Sequence, residues 1–303
     1  NDYTGFPTTK LDNKMVIQYH RYGVRNTKSQ MSAMVQNGVS HNCPVFVGEF
    51  GENSNCWMRD AVNTMERIGI AGWTTWPLKK SGVNCPLQVT RVARYDNLLA
   101  QWVKGGSVAA SEAWEALKAW AEAQVFDRCT VQRDVVDALT RQTKTRETVP
   151  YADHVVGDYV FAVNYDMGVQ GEAYCDADYA SYQYDGEDYT TWNKGWTYRN
   201  DGVDVDSGCY DTRNCGYQVG WTSAGEWLQY TLRNDEEAAK WSLQLRYSST
   251  ATAKISMTVN GREVVPSTSL SSTGSHSTWT TRTFRNIILP RGTVTLRIHI
   301  DQE

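Results

Sequence analysis

Residues 44–50 have the sequence PVFVGEF, a short apolar run that closes on a glycine, a carboxylate and a phenylalanine. Similar runs flank it on both sides, MVIQYH at 15–20 and IAGWTTW at 70–76. The segments between them, 29–37 and 57–68, have the composition or the apolar spacing of helices. Strands that alternate with helices predict βα units and a parallel sheet in the first third of the chain.

A helical segment and a polar stretch follow this α/β part. The first predicted helix has Ser111 as its N-cap. Its apolar face consists of Trp114, Leu117 and Trp120. The stretch RQTKTRETVP, which ends at Pro150, has almost no apolar residues and is predicted to be a linker.

From Tyr151 onward, short runs of alternating apolar and polar residues lie between clusters of Gly, Asn, Asp and Ser. Regular spacing of this kind is typical of a β-sandwich. The sequence therefore predicts an α/β part followed by an all-β part. We place the α/β part at 1–125, a helical segment and linker at 126–150, and the sandwich at 151–303.

Composition excludes some classes of protein and favours others. Lys plus Arg number 30 and Asp plus Glu 34, and the net charge of −4 argues against a partner made of nucleic acid. No apolar run approaches the about 20 residues of a membrane-spanning helix. The chain has 12 Trp and 17 Tyr but only 6 Phe. Trp and Tyr combine an apolar face with a polar group, so the excess fits either sugar binding or a Trp-rich β core.

The seven cysteines include no Cys-x-x-Cys pair, which argues against a zinc ribbon or a thioredoxin-type site. Cys209 and Cys215 lie six residues apart in a polar loop and could close a small disulfide. We therefore expect an oxidising, extracellular setting. No signal peptide is visible, and both ends of the sequence resemble cuts in a longer polypeptide.

Polar and aromatic residues follow each of the three predicted parallel strands. His20 and Tyr22 end the first strand, and Glu49 ends the second. Trp76 and Lys79 follow the third. Catalytic groups of α/β barrels lie at the carboxyl ends of strands, and a carboxylate beside a Tyr hydroxyl and an indole suits glycoside hydrolysis. Taken singly, each residue also fits a surface carboxylate, a structural histidine or a core tryptophan.

Three segments, DNKMVIQYHRY at 12–22, PVFVGEFGENSN at 44–55 and GIAGWTTWPLKK at 69–80, resemble strands six to eight of glycoside hydrolase family 5. The resemblance implies part of a (β/α)8 TIM barrel and a retaining cellulase. It also implies that Glu49 is the nucleophile, that His20 and Tyr22 position it, and that Trp76 is the floor of the sugar site.

The chain departs from that family in one large respect. The acid/base Glu of the family lies in an Asn-Glu-Pro motif, and that motif is absent from this sequence. Glu52 and Asp60 follow Glu49 too closely to replace it. A retaining mechanism needs two carboxyl groups about 5–5.5 Å apart, and a filled barrel needs eight strands. We therefore expect an upstream segment, a second polypeptide or self-association to cover the open barrel edge.

The C-terminal part resembles a family 6 carbohydrate-binding module, a jelly-roll-like sandwich, over the segments 164–178, 198–205, 216–232 and 293–301. The resemblance implies that Trp221 is a ligand aromatic. His276, in TGSHSTW, falls where a second ligand aromatic is usual, and Trp279 matches the core Trp.

The same resemblance implies a structural calcium in the sandwich. The calcium-binding Glu of the family falls on Val163 in this sequence, so Asp166 and Asp301 remain as candidate oxygen ligands. A calcium ion usually binds about six to eight oxygen atoms. We expect no cofactor in catalysis, and the metal ligands stay undefined.

Two functions are open on this sequence. The first is a secreted, retaining β-1,4-glucan hydrolase of the endoglucanase type that binds β-glucan through its sandwich. Its acid/base carboxylate would come from outside this chain. The alternative is a non-catalytic extracellular carbohydrate-binding or assembly protein built on a truncated barrel, or a lectin-like module with a passive scaffold.

Overall fold

The computed structural model describes residue 10 and residues 12–177, 198–208, 216–237 and 240–303. The chain forms two compact units, one of Asn1–Asn53 with Asp60–Val136 and one of Ser54–Arg59 with Asp137–Glu303. Cys209 and Cys215, the predicted disulfide pair, lie outside the described residues. In the part of the chain that is described, no helix has the length and apolar character needed to cross a membrane.

The first unit is built on a three-stranded parallel sheet in the order β1-β2-β3. The strands and the helices between them are β1 (Ile17–Arg21), α1 (Lys28–His41), β2 (Val45–Phe50), α2 (Asn55–Ile68) and β3 (Gly72–Thr75). The first residues of α2, 55–59, belong to the second unit. Helix α1 begins at Thr27, whose hydroxyl caps the first turn, and ends at Asn42 in the left-handed conformation. The predicted parallel sheet is therefore present.

The two faces of this sheet differ in burial. Ile17, Tyr19 and Val47 are buried on one face, where Asn37 of α1 donates a hydrogen bond to the Tyr19 hydroxyl at 2.6 Å. Gln18 and His20 alternate with those residues and are exposed on the other face. Parallel sheets are usually covered on both faces. Here the face that carries His20 is open in the described part of the chain.

The remaining elements of this unit are β4 (Lys79–Lys80), β5 (Leu87–Gln88), α3 (Ala93–Val103), α4 (Ala110–Ala123), β6 (Thr130–Val131) and, at the boundary between the units, α5 (Arg133–Leu139). The rings of Tyr95 in α3 and Trp120 in α4 stack at 4.8 Å. The predicted N-cap is wrong: Ala109 caps α4 without a side-chain bond, and Ser111 lies within the helix. Helix α4 forms because Ala, Glu, Leu and Lys favour a helix even without that cap.

The second unit is a β-sandwich. Its strands are β7 (His154–Val155), β8 (Tyr174–Cys175), β9 (Val205–Ser207), β10 (Tyr217–Val219), β11 (Trp227–Asn234), β12 (Lys240–Tyr247), β13 (Ala253–Val259), β14 (Arg262–Leu270), β15 (Thr280–Ile288) and β16 (Gly292–Gln302). One sheet has the order β14-β13-β16-β11-β7, with β8 also paired to β11. Strands β12 and β15 pair with each other. The core contains buried side chains such as Met257, Phe284 and Val294.

A buried polar cluster lies in this second unit. The guanidinium of Arg199 forms an ion pair with Asp201 at 2.6 Å, and their side chains are 0% and 3% exposed. Asn55 donates to the other carboxylate oxygen of Asp201 at 2.7 Å. The Tyr174 hydroxyl and the Cys56 thiol both donate to the Asp201 carbonyl oxygen. Residues 54–59 are therefore part of this unit although they are distant from it in sequence.

Candidate functional site

The structure brings together three of the predicted site residues at the end of the parallel strands. Glu49 Oε2 accepts a hydrogen bond from the Tyr22 hydroxyl at 3.0 Å. His20 Nδ1 lies 3.2 Å from the same oxygen. The Glu49 side chain is 30% exposed and that of His20 48% exposed, so the carboxylate is reachable from solvent. We call Glu49, His20 and Tyr22 the carboxylate cluster.

A bulge in β2 places Glu49 level with His20. Tyr19 pairs with Val47, but the next residue, His20, pairs with Glu49 rather than with Gly48. The pairing of β2 with β3 contains the same extra residue. One extra residue reverses the alternation of side chains, so Glu49 turns toward the face of His20. Without the bulge, Glu49 would share the buried face with Val47.

The loop after Glu49 depends on a glycine. Gly51 has φ +144°, and a Cβ atom there would lie 2.4 Å from the Trp76 carbonyl oxygen. The backbone N–H of Trp76 donates to the Phe50 carbonyl oxygen at 2.8 Å. This close approach ties the residues after β3 to the end of β2, and only glycine allows it.

Tyr22 is held as a hydrogen-bond donor. Burial, the hydrogen bond to Glu49 and the negative charges of Glu49 and Glu52 all raise the pKa of the Tyr22 hydroxyl far above its usual value. The phenol therefore stays protonated throughout the physiological range. A neutral donor of this kind holds the carboxylate in one orientation.

The other predicted residues of this site, Trp76 and Lys79, follow strand β3. The Trp76 side chain is 48% exposed next to the Trp76–Pro77 peptide, which is cis. Lys79 donates to the Gln124 carbonyl oxygen at 2.7 Å. Glu52 is the next carboxylate after Glu49 in the sequence. It forms an ion pair with Lys80 at 2.5 Å.

Sequence analysis missed Gln18. Its side-chain nitrogen lies 3.0 Å from Nε2 of His20, on the opposite side of the ring from Glu49. The spacing of Gln18 and His20 could have indicated this contact, because residues i and i+2 of a strand lie on the same face. A search for polar residues two positions before His20 would have found it.

In the sandwich, Trp221 follows β10 and is the predicted ligand aromatic. Its side chain is 43% exposed, and its backbone has φ +46°. A non-glycine residue in the left-handed region costs energy and is concentrated at functional sites. Exposure of an indole on such a turn suits a stacking platform for a sugar ring.

His276 and Trp279 lie in the turn between β14 and β15. His276 is exposed, whereas Trp279 is partly buried with Arg246 5.8 Å above its ring. Trp227 in β11 is also partly buried and lies beneath the guanidinium of Arg297 at 4.0 Å. These positions leave Trp221 and His276 as the predicted sugar contacts with accessible rings.

The residues named for calcium do not form a fitting donor set. Both carboxylate oxygens of the fully buried Asp166 accept hydrogen bonds, from the Thr231 amide at 2.8 Å, the Thr231 hydroxyl at 2.7 Å and the Gln229 amide at 2.9 Å. Asp301 accepts from Ser256 at 2.9 Å. Within the described ranges, no group of three or more His, Cys, Asp or Glu side chains could hold a metal ion. Structural calcium stays a prediction.

Comparison with protein families gives a match in the C-terminal part of the chain. Residues 199–303 match the family model described as carbohydrate binding module (family 35). No curated protein matches the chain at a significant level.

Solved structures with similarity to this chain include the native family 35 carbohydrate-binding module from Clostridium thermocellum. The two sequences are 24% identical, and the alignment covers 33% of this chain and 80% of that module with a TM-score of 0.26. The C-terminal family 6 module of LamC, a marine laminarinase from Zobellia galactanivorans, is 19% identical to this chain. That alignment covers 33% of this chain and 78% of the module, with a TM-score of 0.28. A family 6 module of Cellvibrio mixtus lichenase 5A, solved with cellotriose, is 22% identical to this chain. That alignment covers 33% of this chain and 77% of the module, with a TM-score of 0.29.

A carbohydrate-binding module is therefore present in the C-terminal part of the chain, which implies polysaccharide binding. This confirms the prediction at the level of the module. The family model is that of family 35, whereas the sequence segments resembled family 6. The match does not extend to the first unit.

Proposed function

We propose that this chain takes part in the retaining hydrolysis of a β-1,4-glucan, with Glu49 as the nucleophile and the sandwich as the polysaccharide-binding part. The observation that carries the proposal is the carboxylate cluster, in which one oxygen of Glu49 contacts both Tyr22 and His20 at the end of adjacent parallel strands. A partly exposed carboxylate with two positioning donors has the features of a glycosidase nucleophile.

Each residue of the cluster has a definite task in this mechanism. Glu49 attacks the anomeric carbon while the glycosidic C–O bond breaks and the separate acid/base carboxyl protonates the departing sugar oxygen, which gives a covalent glycosyl-enzyme. Water then attacks the same carbon, its proton passes to the acid/base carboxylate, and Glu49 is released. Tyr22 and His20 hold the carboxylate in one orientation before the attack, so little reorganisation is needed. The half-exposed indole of Trp76 is the proposed floor for the sugar ring.

The acid/base carboxylate is proposed to come from an upstream segment or another polypeptide. Glu52 is held by Lys80 and is a poor candidate for that role. Covering the open face of the sheet would also bury the exposed Gln18 and His20. Because a polysaccharide is too large to enter a cell, the proposed place of action is extracellular.

The test for Glu49 does not need the missing acid. A 2,4-dinitrophenyl 2-deoxy-2-fluoro-β-cellobioside has a leaving group that departs without protonation, and its fluorine slows hydrolysis of the glycosyl-enzyme. Attack by Glu49 releases 2,4-dinitrophenolate, so intact-protein mass spectrometry should show one added 2-deoxy-2-fluorocellobiosyl group on the wild-type chain, mapped to Glu49. Glu49→Gln should remain unlabelled, whereas Glu112→Gln, a control at an exposed position of α4, should label normally. A wild-type chain that stays unlabelled would overturn the hydrolase proposal.

The alternative function, carbohydrate binding without catalysis, is favoured by the family match in residues 199–303. We propose Trp221 as its central contact. Trp221→Ala should weaken retention in affinity electrophoresis on β-glucan at least about tenfold, which corresponds to about 1.4 kcal/mol. Trp114→Ala is the matched control, because Trp114 is also exposed but lies on α4 of the first unit. Equal retention of Trp221→Ala and the wild type would contradict this assignment.

A further inference from the structure

A row of three side chains leads from Gln18 to the proposed nucleophile. Gln18 Nε2 lies 3.0 Å from His20 Nε2, and His20 Nδ1 lies 3.2 Å from Glu49 Oε2. The imidazole therefore contacts an amide through one nitrogen and a carboxylate through the other. The roles of the two ring nitrogens follow from what these partners can donate and accept.

An ionised carboxylate only accepts hydrogen bonds, so the contact with Glu49 requires a proton on Nδ1 of His20. A neutral imidazole has one N–H, and its other nitrogen is then an acceptor. The amide nitrogen of Gln18 is a donor that faces this acceptor. The opposite tautomer would direct a ring lone pair at the carboxylate, and the Gln18 amide would have to turn its oxygen toward the ring N–H.

We propose that Gln18 is a positioning residue that favours the Nδ1–H tautomer of His20, so that His20 donates a hydrogen bond to Glu49. The proposal rests on the proposed role of Glu49 as nucleophile. The contact of Gln18 is with His20, so Gln18 acts on Glu49 through the histidine.

Gly48 provides the space for this side chain. A Cβ atom at Gly48 would lie 2.2 Å from Nε2, 2.4 Å from Cδ and 2.8 Å from Cγ of Gln18. Any larger residue at position 48 would displace Gln18 from His20. Two independent substitutions, Gln18→Met and Gly48→Ala, therefore remove the same hydrogen bond, one by chemistry and the other by steric exclusion.

The test is the tautomer of His20, read from long-range ¹H–¹⁵N spectra of the full chain at a pH where imidazole is neutral. The wild type should show a proton on Nδ1. Gln18→Met and Gly48→Ala should both shift the population toward Nε2–H. Gln244→Met, at an exposed strand position in the sandwich, is the matched control and should leave the His20 signals unchanged.

The rate of labelling of Glu49 by the fluoro-cellobioside is the second readout. At metal sites, loss of the outer hydrogen-bond partner of a histidine ligand typically lowers activity about 10–100-fold, and by analogy we expect the lower end of that range for both variants. An unchanged tautomer in Gln18→Met, with normal labelling, would overturn the proposal. A shifted tautomer in a protein whose wild type never labels would instead overturn the hydrolase function and leave the link between Gln18 and His20 standing.

Discussion

Asp201→Asn tests whether the buried ion pair of the sandwich unit is needed for its stability. Asp201 Oδ2 accepts from Arg199 Nε at 2.9 Å, from Arg199 Nη2 at 2.6 Å and from the Tyr165 hydroxyl at 3.3 Å. Its Oδ1 accepts from Asn55 at 2.7 Å. Asparagine has one acceptor oxygen and one donor nitrogen, so it must direct N–H groups at Arg199 or at Asn55.

The magnitude follows from the burial of Arg199. Removal of one partner of a buried pair typically costs about 3–5 kcal/mol, because the remaining charge is left without compensation. Carbonyl oxygens of Val163 and Asp166 and the ring of Tyr165, 3.7 Å from the guanidinium carbon, offset part of that loss. We therefore expect the lower half of the range, about 3–4 kcal/mol.

Differential scanning calorimetry measures this loss. For a domain of about 150–250 residues, each kcal/mol lowers Tm by roughly 2–4 °C, so Asp201→Asn should unfold roughly 6–16 °C earlier. Asp235→Asn is a matched control, since Asp235 also pairs with an arginine two residues earlier, Arg233, but both side chains are at least half exposed. Exposed pairs contribute at most about 1 kcal/mol, so the control should change Tm by at most about 4 °C. Equal Tm values for both variants would refute the argument.

Two further predictions concern a loop and a histidine. Gly51→Ala should lower the free energy of unfolding by about 1–3 kcal/mol in urea titrations, because of the positive φ and the contact with the Trp76 carbonyl; an unchanged midpoint would contradict this. Burial and the charge of Arg297 lower the pKa of His299, whereas Asp301 raises it. The unfolded chain therefore binds this proton more readily, and stability falls as pH drops below about 6.5. In NMR titrations, Asp301→Asn should lower the pH midpoint of His299 further. A midpoint that is unchanged or higher would show that Asp301 does not raise the pKa of His299.

The strand-end residues could be predicted because they follow from topology alone. Parallel strands have their carboxyl ends at one edge of a sheet, so His20, Tyr22 and Glu49 were expected near one another, and the distances agree. Apolar spacing also predicted helix α4. It did not predict that Trp114 and Leu117 would be 66% and 41% exposed. Periodicity identifies an apolar face, but it does not identify what covers that face.

The buried cluster of the sandwich could not be predicted in the same way. Asn55 and Asp201 are separated by 146 positions, and neither lies in a pattern that indicates the other. The polar stretch predicted as a linker is likewise held by specific bonds, since Arg141 donates to both oxygens of Asp137 and Val149 forms a bridge with Met167. Local composition describes the polarity of a segment, whereas tertiary hydrogen bonds determine whether it is fixed.

The carboxylate cluster shows why regular patterns reach only part of a site. Strict alternation along β2 would assign Glu49 to the same face as Val47, which is fully buried, and a carboxylate there would be costly. The extra residue in β2 turns Glu49 to the open face, level with His20. The same segment contains Gly48, whose missing side chain leaves room for Gln18. One irregular step in a short strand therefore aims the proposed nucleophile and also admits the residue that orients its histidine.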